Sequence, residues 1–225
     1  MCQLNWWHKP LDFCLGIGYS VSIHDRDMQK LTTNQVAAKL KVTDFSVFEK
    51  PGKNKGARGQ LLENALGIDN SSALKDLIDG ELKSFTQGES IAITQLKHCL
   101  SEIIEESVSF DDSKVGQKLK QTVYVGFNRS NDYLGTAVLN EEIDPVHYQQ
   151  LREDFDYICQ KIRYAWNTEV ELNTITGPNN LLQIRTKASK SKTGYYTPLR
   201  FAGVTLKDKG MAFYLCSQFG KTIVG

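Results

Sequence analysis

The chain has 225 residues, of which 40% are hydrophobic and 24% charged, and its formal net charge is +1. This length and composition suit a globular protein with one large domain or two small ones, and they exclude an extended disordered chain. The charge shows no overall basic excess, so a nucleic-acid partner has to be inferred from where the basic residues lie.

Neither a membrane segment nor a cysteine framework is indicated. No apolar run approaches the roughly 20 residues that cross a bilayer, and the N-terminal region lacks the basic start and clean apolar core of a signal peptide. The five cysteines are odd in number and scattered without a CxxC pair, which argues against disulfides and structural zinc. We expect a cytoplasmic protein with buried free thiols and no membrane partner.

Residues 1–27 differ from the rest of the chain, because they are rich in Trp, Cys and Gly and have no clear period. One interpretation is that the protein starts at Met28, where a more regular stretch begins; the other is that these residues belong to the protein. We expect an N-terminal extension with a helical segment over 1–49, and a second unit over 50–225. The second unit opens with the Pro-, Gly- and Lys-rich loop KPGKNKGAR.

The first elements of the second unit are a short helix, a hairpin and two further strands. GQLLENALG predicts the helix, since Leu62 and Leu66 are one turn apart and Gly67 can end it. LKDLIDGELKSF, residues 74–85, predicts a hairpin around an Asp-Gly turn. SIAITQL alternates as a strand does, and QTVYVGF is typical of a buried strand.

A long helix is predicted next, in DPVHYQQLREDFDYICQKIRYAWN. Asp144 can cap it and Pro145 suits its first turn. One apolar stripe at helical spacing is assigned to the core: Tyr148, Leu151, Phe155, Ile158, Ile162 and Trp166. The strands VELNTIT, LLQIR and MAFYL follow. We therefore predict an α/β protein with a mixed central sheet flanked by helices.

Two stretches of this sequence carry charge in a suggestive pattern. In RTKASKSKTGYYTPLR, five basic residues meet no acid, which is typical of either a solvated loop or a nucleic-acid contact. In the predicted hairpin, Glu81 and Lys83 share one face of a strand while Leu82 points to the core, and the turn would bring Asp76 beside them.

Two carboxylates held close repel each other unless a cation lies between them, and Mg²⁺ binds through one or two carboxylates plus a phosphate oxygen. Lys83 could then position or deprotonate an attacking water, or stabilise charge on a phosphate. The alternative is an exposed hairpin whose Glu81 and Lys83 only face solvent.

Seven stretches in order resemble the MutH and GATC-cutting type II restriction endonuclease family, over roughly residue 50 to the C-terminus. They are NKGARGQLLENALG, DLIDGELKSF, GESIAIT, SKVGQKLKQTVYVGF, QLREDFDYICQKI, LLQIRTKASKSK and FYLCSQF. The resemblance implies the PD-(D/E)xK restriction-endonuclease-like fold, Mg²⁺ as cofactor and double-stranded DNA as substrate.

The resemblance also implies roles for single residues. Asp76, Glu81 and Lys83 match the catalytic positions, with Asp76 and Glu81 as metal ligands, and Glu63 and Lys118 match a further acid and a further lysine. On their own, Glu63 would be interpreted as a surface residue and Lys118 as a strand flank.

Five other residues match positions that contact DNA in the family: Lys55, Gly56, Arg185, Lys187 and Tyr214. Arg can bond guanine edges and Lys neutralises phosphates, while a lone strand tyrosine is more often a core residue. The match at Tyr214 implies contact with adenine and a response to its methylation.

Four departures from the family pattern bear on the site, on specificity and on control. The spacing from Asp76 to Glu81 is short, so Asp79 is a rival for the first carboxylate. Thr186 replaces a proline and Ala92 an aromatic that touches DNA, which weakens the expectation of GATC specificity. The sequence ends at FGKTIVG and leaves little of the family's last helix, which is linked to control by MutL, so the expectation of a mismatch-repair role is weakened.

The favoured hypothesis is a sequence-specific DNA endonuclease of the restriction type. A MutH-type nickase of methyl-directed mismatch repair, working with a MutL-type partner, is the second hypothesis. A DNA-binding module without cleavage is the third.

Overall fold

The computed structural model describes residues 30–48, 56–68, 74–187, 199–206 and 210–223. The interpretation of residues 1–27, the predicted DNA contact of Lys55 and most of the basic loop after Lys187 lie outside these residues.

The helices begin and end where the local sequence provides caps. Helix α1 (Thr33–Leu40) starts at Thr32, whose hydroxyl accepts from the Gln35 amide while the Gln35 side chain accepts from the Thr32 amide. Helix α2 (Ala57–Leu66) ends at Gly67 in the left-handed conformation, φ 73°, as predicted. The other helices are α3 (Leu100–Ile104), α4 (Lys114–Leu119), α5 (Pro145–Asn167) and α6 (Ser217–Ile223), with short 3-10 turns at Phe45–Val47 and Leu96–His98.

The strands form separate groups rather than one central sheet. In chain order they are β1 (Glu81–Thr86), β2 (Ile91–Gln95), β3 (Gln121–Phe127), β4 (Tyr133–Asn140), β5 (Ile175–Thr176), β6 (Leu182–Thr186), β7 (Leu199–Phe201), β8 (Val204–Leu206) and β9 (Met211–Leu215). A mixed sheet has the order β1-β3-β4, with β1 parallel to β3 and β4 antiparallel to it. An antiparallel sheet has the order β2-β9-β6-β5, and β7 pairs with β8. The predicted α/β class is thus confirmed, whereas the strands are divided between these sheets.

Both faces of the mixed sheet are covered, because its side chains alternate along β3. On one face, Val123 and Val125 pack with Val36 and Leu40 of α1 in a buried cluster. On the other face, Tyr124 belongs to a larger cluster. That cluster also holds the inward side chains of the antiparallel sheet and the apolar stripe of α5. Helix α1 therefore lies on the side of the mixed sheet opposite to the antiparallel sheet.

The predicted hairpin at residues 74–85 is wrong. Strand β1 starts only at Glu81, its partner is β3, and residues 75–80 are irregular. The Leu77 amide donates to the Gly80 carbonyl, and Gly80 lies so close to the Gln121 carbonyl of β3 that a Cβ would collide with it. The segment before β1 thus packs against β3 instead of folding back along β1.

The remaining predictions of elements are mostly confirmed. Helix α5 is capped by Asp144, and all six residues of its predicted stripe are buried. Strand β3 is buried along its length after Gln121. The strand predicted in VELNTIT is wrong for most of its length, since only Ile175 and Thr176 pair with β6.

Two expectations from composition can be compared with the described residues. In these ranges no helix combines the length and apolar character needed to cross a membrane. Cys99, Cys159 and Cys216 are buried free thiols, as predicted.

Candidate active site

The centre of the site is the carboxylate of Glu81, the first residue of β1, whose side chain is fully buried. Its Oε1 accepts from the Lys118 ammonium at 2.7 Å, and its Oε2 is in contact with the Lys83 ammonium. Each carboxylate oxygen therefore has its own lysine. Buried charges are tolerated when they are paired in this way.

Lys83 joins Glu81 to a second acid, Asp76. The Lys83 Nζ lies 3.6 Å from Asp76 Oδ2, and the same oxygen accepts from the Leu82 amide at 3.3 Å. Glu81 and Lys83 are neighbours on one face of β1, as the alternation of the strand predicts. Asp76 reaches them from the irregular segment before β1. We call Glu63, Asp76, Glu81, Lys83 and Lys118 the carboxylate–lysine site.

Lys118 ties the site to the rest of the fold. It lies in the last turn of α4, and its Nζ also donates to the Leu74 carbonyl at 2.6 Å. Helix α4 leads directly into β3, the parallel partner of β1, so Lys118 is held beside the start of β1. This lysine fixes both the Glu81 carboxylate and the segment that carries Asp76.

Glu63 comes from α2 and is half-buried. Burial raises the pKa of its carboxyl, Asp76 and Glu81 raise it further, and Lys83 lowers it. These influences place Glu63 in the same electrostatic neighbourhood as the other acids. Asp76, Glu81, Lys83 and Lys118 are thus joined by ion pairs. Glu63 of α2 is linked to them by its electrostatic interactions.

The ionisation of Glu81 and Lys83 bears on what Lys83 can do. Burial raises the pKa of Glu81 despite its contact with Lys83. For Lys83, burial acts to lower the pKa, but attraction to Glu81 and Asp76 outweighs it and the pKa is raised. Lys83 is therefore an ammonium ion at neutral pH, which favours orienting water or stabilising charge over deprotonation.

Asp79, the rival for the first carboxylate, lies outside this group. Its carboxylate accepts from the Thr33 amide at 2.8 Å, from the Thr33 hydroxyl at 3.0 Å and from the Gln121 side chain at 3.0 Å. Asp79 thus fixes the start of α1 against β3, while Asp76 contacts Lys83.

The two aspartates should respond differently to the same change. For the DNA cleavage that the resemblance implies, we expect Asp76→Asn to lower the rate by about 100-fold or more, because the expected metal ligand loses its charge. Asp79→Asn should retain cleavage and lose about 1 kcal/mol of stability, because the hydrogen bonds that a charged carboxylate accepts from Thr33 and Gln121 become neutral ones. Cleavage rates and urea unfolding of both variants measure this, and a loss of cleavage in Asp79→Asn alone would reverse the assignment.

The antiparallel sheet carries the predicted DNA-contacting residues Arg185 and Tyr214. The Arg185 guanidinium lies over the Tyr214 ring, 5.6 Å from its centroid. Its Nη1 is 3.4 Å from the Ser90 hydroxyl, which also accepts from the Gln183 side chain at 2.9 Å. Tyr214 is half-buried on the face opposite Phe213, so it is not a core residue of the main cluster.

Ser90 and Gln183 were not predicted from the sequence as part of this face. The alternation of LLQIR was the available signal, because Gln183 and Arg185 are two residues apart on one strand. Ala92, which stands where the resembled family has an aromatic, lies opposite Tyr214 in the β2–β9 ladder.

Two further predicted contacts occupy the ends of elements. Lys187 is exposed just after β6, where its amide donates to the Gly210 carbonyl at 2.9 Å. Gly56 directly precedes α2, the helix that carries Glu63.

The donor set of the site can be compared with the requirements of Mg²⁺. No cluster of three or more His, Cys, Asp or Glu side chains within the described ranges is placed to hold a metal ion. Mg²⁺, however, usually binds through one or two carboxylates and completes its shell with water and substrate phosphate. Asp76 and Glu81, which both contact the Lys83 ammonium, fit that smaller set.

No protein-family model matches the chain, and no curated protein matches it. The class of site therefore rests on its geometry: a buried carboxylate, a second carboxylate and two ammonium groups at the start of a strand.

Proposed function

We propose that this protein is a Mg²⁺-dependent DNA endonuclease of the PD-(D/E)xK class that hydrolyses phosphodiester bonds as a restriction-type enzyme. The observation that carries the proposal is the buried Glu81 carboxylate, bound by Lys83 and Lys118, with Asp76 on the same Lys83 ammonium. A structural ion pair needs one partner of each sign, whereas this site gathers three acids and two lysines.

The energetics favour a catalytic role over a structural one. Burying charges costs several kcal/mol per ion, and hydrophobic residues of similar volume often stabilise a protein as well or better. Groups with shifted pKa values gathered around a carboxylate are a common feature of active sites. Burial raises the pKa of Glu81 and of Glu63, so the site holds acids whose ionised forms gain from an added cation.

In the proposed reaction Asp76 and Glu81 would hold Mg²⁺. The bound ion would supply charge neutralisation at the scissile phosphate and lower the pKa of a water. Lys83, as an ammonium ion, would orient the attacking water and stabilise the negative charge that develops on the phosphate. Lys118 acts through Glu81, whose Oε1 it binds, and is a positioning residue. Glu63, whose pKa is raised by burial, would accept a hydrogen bond or a proton from water in the site.

Double-stranded DNA is the proposed substrate because the antiparallel sheet carries side chains that suit contacts with bases and phosphates. Arg185 presents a guanidinium held between Tyr214 and Ser90. A guanidinium can bond guanine in the major groove and Tyr214 can contact a base, while Lys187 nearby suits a phosphate.

The MutH-type nickase shares this chemistry and differs in the number of strands cut and in its need for MutL. A binding module without cleavage would have no use for the carboxylate–lysine site. Supercoiled plasmid with and without adenine methylation at GATC, incubated with Mg²⁺, distinguishes these functions. We expect linear fragments with fixed ends; nicked circles that require MutL would favour the repair function, and intact plasmid that is nevertheless bound would favour the binding module.

A further inference from the structure

An exposed group of basic residues lies at one end of the antiparallel sheet. Of these residues, the resemblance assigns a role to Lys187 alone. Its members are Lys97, His98, Lys114 and Lys187, all exposed. We call them the basic ridge. Lys97 and His98 belong to the 3-10 turn after β2, and Lys187 directly follows β6.

The strand register places these residues around one point. Strand β9 lies between β2 and β6, and Gln95 and Arg185 both pair with Ala212 of β9. Strands β2 and β6 both run antiparallel to β9. The residues that follow Gln95 and Arg185 therefore lie beside the start of β9. Lys97 and Lys187 therefore flank the start of β9 from its two sides.

Lys114 connects the ridge to the carboxylate–lysine site. Its ammonium contacts the His98 carbonyl, and Lys118 follows one turn later on α4 with its ammonium on Glu81. The nearby Glu102 carboxylate accepts from the Lys114 amide at 3.0 Å, so it serves as a cap for α4. A row of cations thus extends from Glu81 to the start of β9.

The electrostatic surroundings of His98 are dominated by the neighbouring lysines. Burial lowers its pKa, and the positive charges of Lys97, Lys114, Lys187 and Lys118 lower it further. Its side chain is exposed whereas the neighbouring Cys99 is fully buried, so the imidazole lies on the same surface as the lysines. Like charges gathered on a surface repel one another, and a polyanion removes that cost.

We propose that the basic ridge binds the phosphates of the DNA backbone between the carboxylate–lysine site and the face that carries Arg185 and Tyr214. The proposal rests on the proposed function and adds Lys97, His98 and Lys114 to the DNA-binding surface. Phosphate contacts of this kind set the position of a duplex without reading its sequence.

The test is the salt dependence of DNA binding by the full chain. A fluorescent duplex that contains GATC is titrated with the wild type and with Lys97→Ala/Lys114→Ala, without Mg²⁺, over a range of salt concentrations. Each lost phosphate contact lowers the slope of log K against log salt by about 0.9, so we expect a decrease of about 2 and a roughly 10-fold weaker complex at low salt.

Two controls separate charge from structure. Lys41→Ala/Lys161→Ala removes two exposed lysines, one at the end of α1 and one in α5, and should leave the slope unchanged. Lys97→Arg/Lys114→Arg retains both positive charges, so the salt slope of DNA binding should stay at the wild-type value. If the lysines acted only by packing, the larger arginine side chains would disturb binding. Suppose that the wild type binds and cuts DNA and that Lys97→Ala/Lys114→Ala has the wild-type salt slope. The basic ridge then does not bind phosphates, whereas the proposed function still holds. If the wild type neither binds nor cuts DNA, both proposals fail.

Discussion

Glu81→Gln is expected to lower Mg²⁺-dependent DNA cleavage by about 1,000-fold or more, since it removes a proposed metal ligand and the partner of two lysines. The amide has nearly the size of the carboxylate, so it fits the fully buried position. Plasmid cleavage rates at saturating Mg²⁺ measure the effect.

Stability has to be followed in the same variant, because breaking a fully buried ion pair costs about 3–5 kcal/mol. The side chains of Lys83 and Lys118 are 22% and 16% exposed, so water can compensate for part of the lost charge. We therefore expect a smaller loss of stability than for a fully buried pair. Glu105→Gln, at an exposed position after α3, is the matched control and should cut as the wild type does. Folded Glu81→Gln protein that cuts at the wild-type rate would show that Glu81 is structural.

The second large effect is expected from Lys83→Ala, which should lower cleavage by about 100- to 1,000-fold because a preorganised positive charge is lost. The same change should raise the affinity for Mg²⁺, since Asp76 and Glu81 lose the ammonium that lies near both. DNA binding should stay close to the wild-type level. The Mg²⁺ affinity measured by calorimetric titration should therefore rise in Lys83→Ala and fall in Glu81→Gln.

Lys161→Ala is the matched control for Lys83→Ala, because it removes an ammonium from the exposed side of α5. It should leave both cleavage and Mg²⁺ affinity unchanged. If Lys83→Ala loses its fold together with its activity, the ammonium is a structural partner of Glu81. If it binds Mg²⁺ more weakly than the wild type, the two carboxylates do not form the ion's site.

Local pattern was enough to predict several parts of this fold. The stripe of α5, the glycine that ends α2 and the buried β3 all follow from residues close in sequence. The contact between Glu81 and Lys83 has the same origin, because residues two apart share a face of a strand. Such features depend on backbone periodicity alone.

Long-range contacts account for what the sequence pattern missed. The partner of β1 is β3, in which Thr122 pairs with Glu81, and no local signal distinguishes that pairing from a hairpin. Lys118 reaches Glu81 across 37 positions, and Glu63 joins the site from another helix; both were predicted only through the resemblance. The hydrogen bonds of Asp79 to Thr33 likewise span 46 positions, so spacing could not separate it from Asp76.

The most direct measurement is the Mg²⁺ dependence of supercoiled plasmid cleavage by the wild type and by Glu81→Gln, side by side, with EDTA as the blank. A carboxylate–lysine site of the proposed kind predicts cleavage by the wild type that rises with Mg²⁺, stops in EDTA and is lost in folded Glu81→Gln. Equal cleavage by the two proteins, or cleavage that persists in EDTA, would contradict a metal-dependent nuclease centred on Glu81.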